Sequence, residues 1–271
     1  MKRVATLALV GEDTAHAVLL AALTRASIAE AARAVGRDWV VDNLAHDPAL
    51  DGDDDLTAVL PGLRYTNSIR GLGAPESSLH IGGRPVKLRG HLGGHALAPE
   101  AQKWRYLLVG LLSRAPDAVL VAKDTDGDPA SLDGLRQVAA HLETLDPRHV
   151  IVIAAPHQDA ECWLVAGCAG KVAHEVAEAT RRALRFDPVQ HPERLTAHPN
   201  DAATDAKRVL RALLGLEVKS APLDRDETAA HAEALLRDLD ALREPRCAAT
   251  GLVGFLDAVR ARVVPLVVPG V

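Results

Sequence analysis

Val119-Leu120-Val121-Ala122-Lys123-Asp124-Thr125-Asp126-Gly127-Asp128 is the stretch on which the reading of this chain turns. The apolar run before Lys123 reads as a buried strand, and carboxylates follow it at every second residue. In an extended chain successive side chains point to opposite sides, so Asp124, Asp126 and Asp128 share one side of the backbone. Hard oxygen donors gathered at a strand end suit Mg²⁺ or Mn²⁺. Like charges this close repel, so the cluster calls for a cation or a basic partner. An EF-hand is excluded, because Pro129 stands where the loop needs its turn glycine and Leu135 where it needs the bidentate glutamate.

Downstream, a helix is expected from about Ser131 to Leu145, and His149 to Ala155 forms a second buried strand closed by Pro156-His157. Strand, acidic turn, helix and strand make a βαβ unit and hence a parallel sheet. Upstream, Arg3 to Val10 is a strand candidate followed by the turn Gly11-Glu12-Asp13-Thr14. Ala15 to Val35 is helical, with Leu19, Leu20 and Leu23 on one face and Thr14 as its cap. Arg37 to Val41 reads as a short strand. Asp51-Gly52-Asp53-Asp54-Asp55 follows no apolar strand and reads as a solvated loop. From Leu63 to Pro99 the chain is polar and glycine-rich, carrying His80, His91 and His95 with Arg84, Lys87 and Arg89. Gly93-Gly94 between His91 and His95 argues against a zinc helix, and a loop is expected there. Gln102 to Ala115 is the next helix. Beyond Ala160 the pattern is helical over 159–167, 171–184, 202–215, 226–243 and 251–263, punctuated by Pro188, Pro192, Pro199 and Pro222. The expected fold is therefore α/β with a mainly parallel sheet over residues 1–167, an irregular insertion around 42–100, and a helical C-terminal region over 168–271.

Bulk composition excludes little beyond the extremes. With 48% apolar and 25% charged residues in 271, the chain matches an ordinary globular protein. A formal charge of −5 carries no global nucleic-acid signature, although a local basic face remains compatible with it. Cys162, Cys168 and Cys247 form no C-x-x-C pair, which points to reduced thiols in a cytosol. Glu12 and Asp13 interrupt the first apolar run too early for a signal peptide, and no apolar stretch approaches the ~18 residues of a membrane span. A cytoplasmic protein away from membranes is expected.

If the first strand and the strand before Asp124 are neighbours, Glu12 and the aspartates meet at the carboxyl edge, where open α/β sheets bind ligands. A hydrophobic strand ending in Gly11-Glu12, then a helix, and later a strand ending in Asp124-Thr125-Asp126 resembles the TOPRIM domain of topoisomerases, primases and overcoming-lysogenization-defect nucleases. Asp128 adds a third acid. The segment from His157 to Gly167, with Glu161-Cys162-Trp163-Leu164, resembles the "E-x-W-L" segment of uncharacterised TOPRIM-like proteins of bacterial defence neighbourhoods. The resemblance covers roughly residues 3–167. It implies a Rossmann-like TOPRIM core and a nuclease (a phosphodiester hydrolase) acting on DNA or RNA with Mg²⁺ or Mn²⁺, in antiviral defence. It also implies that Glu12 is a general acid or base and metal ligand, and that Asp124 and Asp126 are catalytic metal ligands, with Asp128 beside them. Glu161, at the same sheet edge, is an additional site candidate, and so is Lys123, which could pair with an acid. Trp163 is expected in the core. Cations for a nucleic-acid backbone are sought among Lys123, Arg84, Lys87, Arg89 and Lys207-Arg208.

Two rival readings stand beside this one. Asp124-Thr125-Asp126-Gly127-Asp128 differs only at its last position from the Asp-x-Asp-Gly-Thr of haloacid-dehalogenase phosphohydrolases, but the next strand ends without that fold's Ser or Thr. The other is a TOPRIM-like subunit that works by binding, its acids serving folding or docking. The chain has no G-x-x-x-x-G-K-[ST] of its own, so a nucleotide-driven step would need an ATPase partner. The helical C-terminal region could form a homodimer, recruit that ATPase, or cover the sheet.

Overall fold

The computed structural model describes residues 5, 7–11, 14–38, 40, 79–81, 84–86, 99–113, 115–125, 129–197, 203–268 and 270–271. Its centre is a parallel sheet of three strands, β1 (Leu7–Val10), β4 (Ala118–Ala122) and β5 (Ile151–Ala154), in the order β1-β4-β5. Val10 pairs with Val121, and Ala122 with Ala154, so all three strands run out at one edge. Two further strands, β2 (Leu79–Ile81) and β3 (Arg84–Val86), form a separate antiparallel pair inside the segment expected to be irregular.

β4 is buried along its whole length because both of its faces are covered. Side chains alternate across a strand, so Ala118, Leu120 and Ala122 face one core while Val119 and Val121 face another. A continuous apolar run is what a parallel strand covered on both sides requires. The second core is completed by α2 (Pro99–Leu112), through Leu107, Leu108 and Leu111, and by α3 (Pro129–Leu145), through Leu135, Val138 and Leu142. These residues recur at helical spacing, the signature of a half-buried helix.

The first core joins the other sheet face to α1 (Thr14–Ala34), through Leu19, Leu20 and Leu23, and to C-terminal helices. Those are α4 (Glu161–Gly167), α5 (His174–Leu184), α6 (Ala206–Leu213), α7 (Arg225–Leu236), α8 (Leu239–Leu242), α9 (Pro245–Ala248) and α10 (Leu252–Arg262), while α11 (Val264–Val267) packs on Ile28 and Ala32 of α1 in a third cluster. α1 has the length and composition of a membrane-crossing helix, yet Leu19, Leu20, Leu23, Ile28 and Ala32 are buried within the protein, as in a core helix. α4 is buried at every residue. Trp163 stacks on Phe255 with ring centroids 5.5 Å apart, and its indole N–H donates to the Thr250 carbonyl at 2.8 Å.

Two expected elements differ. Asp38 and Val40 are helical, not part of a strand: the Val40 N–H bonds back to the Arg37 carbonyl at 2.9 Å, and Val40 packs with Ile28, Val264 and Val268. The helix expected over 226–243 is two helices. The Asp238 carboxylate accepts from the Ala241 N–H at 3.1 Å and so caps a new start at α8.

Candidate active site at the carboxyl edge of the sheet

The sheet edge is built by backbone pairing that continues past the strands. The Lys123 N–H donates to the Ala154 carbonyl at 2.9 Å, and the Thr125 N–H to the Pro156 carbonyl at 3.1 Å. The Gln158 N–H returns to the Thr125 hydroxyl at 2.8 Å, while the His157 N–H donates to the Thr250 carbonyl at 2.9 Å. The turn after β4 and the loop after β5 are thus stitched together. Gln158 sits at φ 64°, a left-handed conformation unfavourable for a residue with a side chain. Such strain persists only where its surroundings enforce it, and this loop carries Asp159 and Glu161.

Asp124 lies directly past β4 and is buried. Its Oδ2 is 3.0 Å from Nε2 of His16, which stands in the first turn of α1 and is only 5% exposed. Lys123 turns its ammonium to the backbone carbonyl of Asp124, donating at 2.8 Å, and so braces the turn. A residue of the helical region joins them: Lys207, in the first turn of α6, pairs with the carboxylate of Asp159. The start of α6 is held by Asp205, whose side chain accepts from the Lys207 N–H at 2.9 Å. The Thr196–Asp205 bridge holds it as well.

The electrostatics follow from burial and proximity. Burial pushes the Glu161 carboxyl well above the ordinary carboxylate range, and the hydrogen bond and charge of Asp159 add to the push. Burial also works against ionising Asp159, but the hydrogen bond with Glu161 and the charge of Lys207 outweigh it and hold Asp159 low. For Lys207, desolvation is overcome by Glu161, Asp159 and Asp124, so its ammonium is held more firmly than usual. Together these shifts make Glu161 the weaker acid of the two carboxyls, while Asp159 and Lys207 form an ion pair.

Of the residues expected at the site, Asp124, Glu161 and Lys123 lie at this edge. Glu12, Asp126 and Asp128 fall outside the described residues. So do His91, His95, Lys87, Arg89 and the acidic run 51–55. Val10 and Gly11 lead β1 out beside β4, so the strands before Glu12 and Asp124 are neighbours. Trp163 is core. His16 and Asp159 were not singled out by sequence reasoning, and Lys207 was a candidate cation without a location. The signals were present in part. His16 falls on the stripe of Leu19, Leu20 and Leu23, where an apolar residue is the norm, and Asp159-x-Glu161 repeats after β5 the spacing of Asp124-x-Asp126 after β4.

The donor chemistry here, carboxyl oxygens on a buried edge, suits a hard divalent cation. Among the described residues no group of three His, Cys, Asp or Glu is arranged to hold one. No protein-family model, curated protein or solved structure matches the chain, and the role of this edge rests on its own geometry.

Proposed function

We propose that the chain is a TOPRIM-like phosphodiesterase, a nuclease that cuts DNA or RNA with Mg²⁺ or Mn²⁺ at the carboxyl edge of its sheet. One observation carries the reading: β1 and β4 are parallel neighbours whose ends lead into Gly11-Glu12 and Asp124, and Asp159 and Glu161 after β5 meet Lys207 of α6 at the same edge. Glu12, Asp124, Asp126 and Asp128 would hold the metal, and the chemistry it supplies is Lewis-acid charge at the phosphate and activation of water. Glu12 serves as the general acid or base. Asp159 holds Lys207 charged at the edge, where the ammonium can meet a phosphate oxygen as negative charge grows in the transition state. Burial of this cluster raises the value of each charge relative to water. Action in phage defence beside a partner ATPase is part of the same proposal.

A second reading has an observation in its favour. Asp124 has His16 and Asp159 has Lys207, an arrangement that also suits a binding subunit whose acids serve the fold. Cleavage of labelled DNA and RNA panels with and without Mg²⁺ or Mn²⁺ separates the two. The nuclease reading expects metal-dependent cutting that falls at least ~100-fold in Glu12→Ala and Asp124→Ala. Cutting unchanged in both variants, or no cutting by the wild type, removes it.

A further inference from the structure

Helix α1 shows a polar residue where its packing asks for an apolar one. His16, Leu19, Leu20 and Leu23 lie at helical spacing on one face, and the three leucines are buried in the core shared with the sheet. A leucine at position 16 would continue the stripe. Instead the buried imidazole has its Nε2 3.0 Å from the Asp124 carboxylate, whose side chain is 9% exposed. It also acts electrostatically on Asp159 and Glu161 across the edge. A buried polar pair is weak evidence of a stabilising role. Replacing a buried polar pair with packed apolar residues is often neutral or stabilising, whereas burying the pair incurs desolvation of both groups.

Resting on the metal-dependent reading above, we propose that His16 is a positioning residue for Asp124. Its ring nitrogen stands 3.0 Å from one carboxylate oxygen and limits how that group can turn, so that Asp124 meets a divalent cation in a fixed orientation at the end of β4. The imidazole acts through Asp124 and does not itself ligate. Partners that orient a ligating carboxylate typically change metal affinity 10- to 100-fold when removed.

The experiment is Mn²⁺ titration by calorimetry on the full chain, comparing wild type with His16→Leu and His16→Gln, with thermal unfolding of each measured alongside. His16→Leu keeps the packing and loses the polar contact; His16→Gln keeps a polar group beside Asp124. The expected result is Mn²⁺ binding about 10- to 100-fold weaker in His16→Leu and within a few-fold of wild type in His16→Gln. Equal or tighter binding by a folded His16→Leu overturns the proposal, since a packing role moves only the melting temperature and simple charge competition tightens binding. If His16→Leu does not fold, His16→Asn, too short to reach Asp124, carries the same comparison. Wild type that binds no Mn²⁺ overturns the metal-dependent reading itself, and the positioning role falls with it. That outcome differs from a wild type that binds and a His16→Leu variant that binds equally.

Discussion

Burial and the neighbouring Asp159 make Glu161 a weaker acid in the fold than in the open chain. Its folded value lies above the ordinary glutamate value of 4.5, so the folded protein holds this proton more tightly than the unfolded chain does. The stability it contributes is complete below that ordinary value and drains away as pH rises toward the folded one. Asp159 has the opposite sign: held low in the fold, it contributes above the ordinary value of 3.8 and loses that contribution as pH falls. Toward neutral pH the contribution of Glu161 governs. Glu161→Gln puts a neutral amide in place of the protonated acid and removes the dependence. Urea unfolding between about pH 5 and pH 8 is expected to show the variant gaining on wild type as pH rises, by at most about 1.4 kcal/mol per pH unit. A constant difference across that range would mean that Glu161 is ionised in the fold.

At the scale of elements, the site depends on how the loop after β5 is braced from behind. Gly251 takes φ 82° at the start of α10, and a Cβ there would run into the Ala155 carbonyl. Gly251→Ala combines a left-handed backbone with a clash against the chain leading to Asp159. It is expected to lower stability by about 3 kcal/mol, read as a fall in the urea midpoint. Gly167→Ala tests a second close approach, since its Cβ would lie 2.7 Å from the Leu235 carbonyl where α4 meets α7. A midpoint unchanged in Gly251→Ala would show that the loop yields and that this contact does not hold it. The elements themselves differ in how far the sequence disclosed them. β4 and β5 were legible because apolar runs of that length, bounded by acids and prolines, fit strands covered on both faces. The pair β2–β3 was not, because three-residue strands are too short to display alternation, and only Gly82-Gly83 between them hinted at a hairpin. Val40 took a helical turn because the apolar patch formed by α1 and α11 was available to it. A reading of local pattern does not see that patch.

Across the whole molecule, the helical region after residue 167 is part of the same body as the sheet. Leu120, Ala122, Val152 and Ala154 share one core with Leu210, Leu236, Phe255 and Leu256. Arg243 ties α1 to this region through paired bonds of 2.7 and 2.6 Å to Glu30. One cooperative unfolding transition is expected, with far-UV circular dichroism and tryptophan fluorescence coinciding. Separate transitions would show that the C-terminal helices fold on their own. The shared core also explains what could be read of the site in advance. Asp124 stood out because it ends an apolar strand, and Glu161 because it follows another. The pairing of Lys207 with Asp159 spans 48 positions, and no local pattern announces it. Likewise His16 meets Asp124 only because β1 and β4 are neighbours, a fact of topology.

In the proposed nuclease, Asp124 at the end of β4 and Lys207 from the helical region serve one catalytic site. The most direct measurement is single-turnover cleavage of a labelled substrate with Mn²⁺ by wild type, Asp124→Asn, Lys207→Met and the double variant, each confirmed folded. Residues acting as a unit give strongly non-additive losses. Each single variant is expected to lose at least ~100-fold, and the double variant to be little worse than the weaker single one. Losses that simply multiply, or cleavage indifferent to either residue, would contradict that proposal.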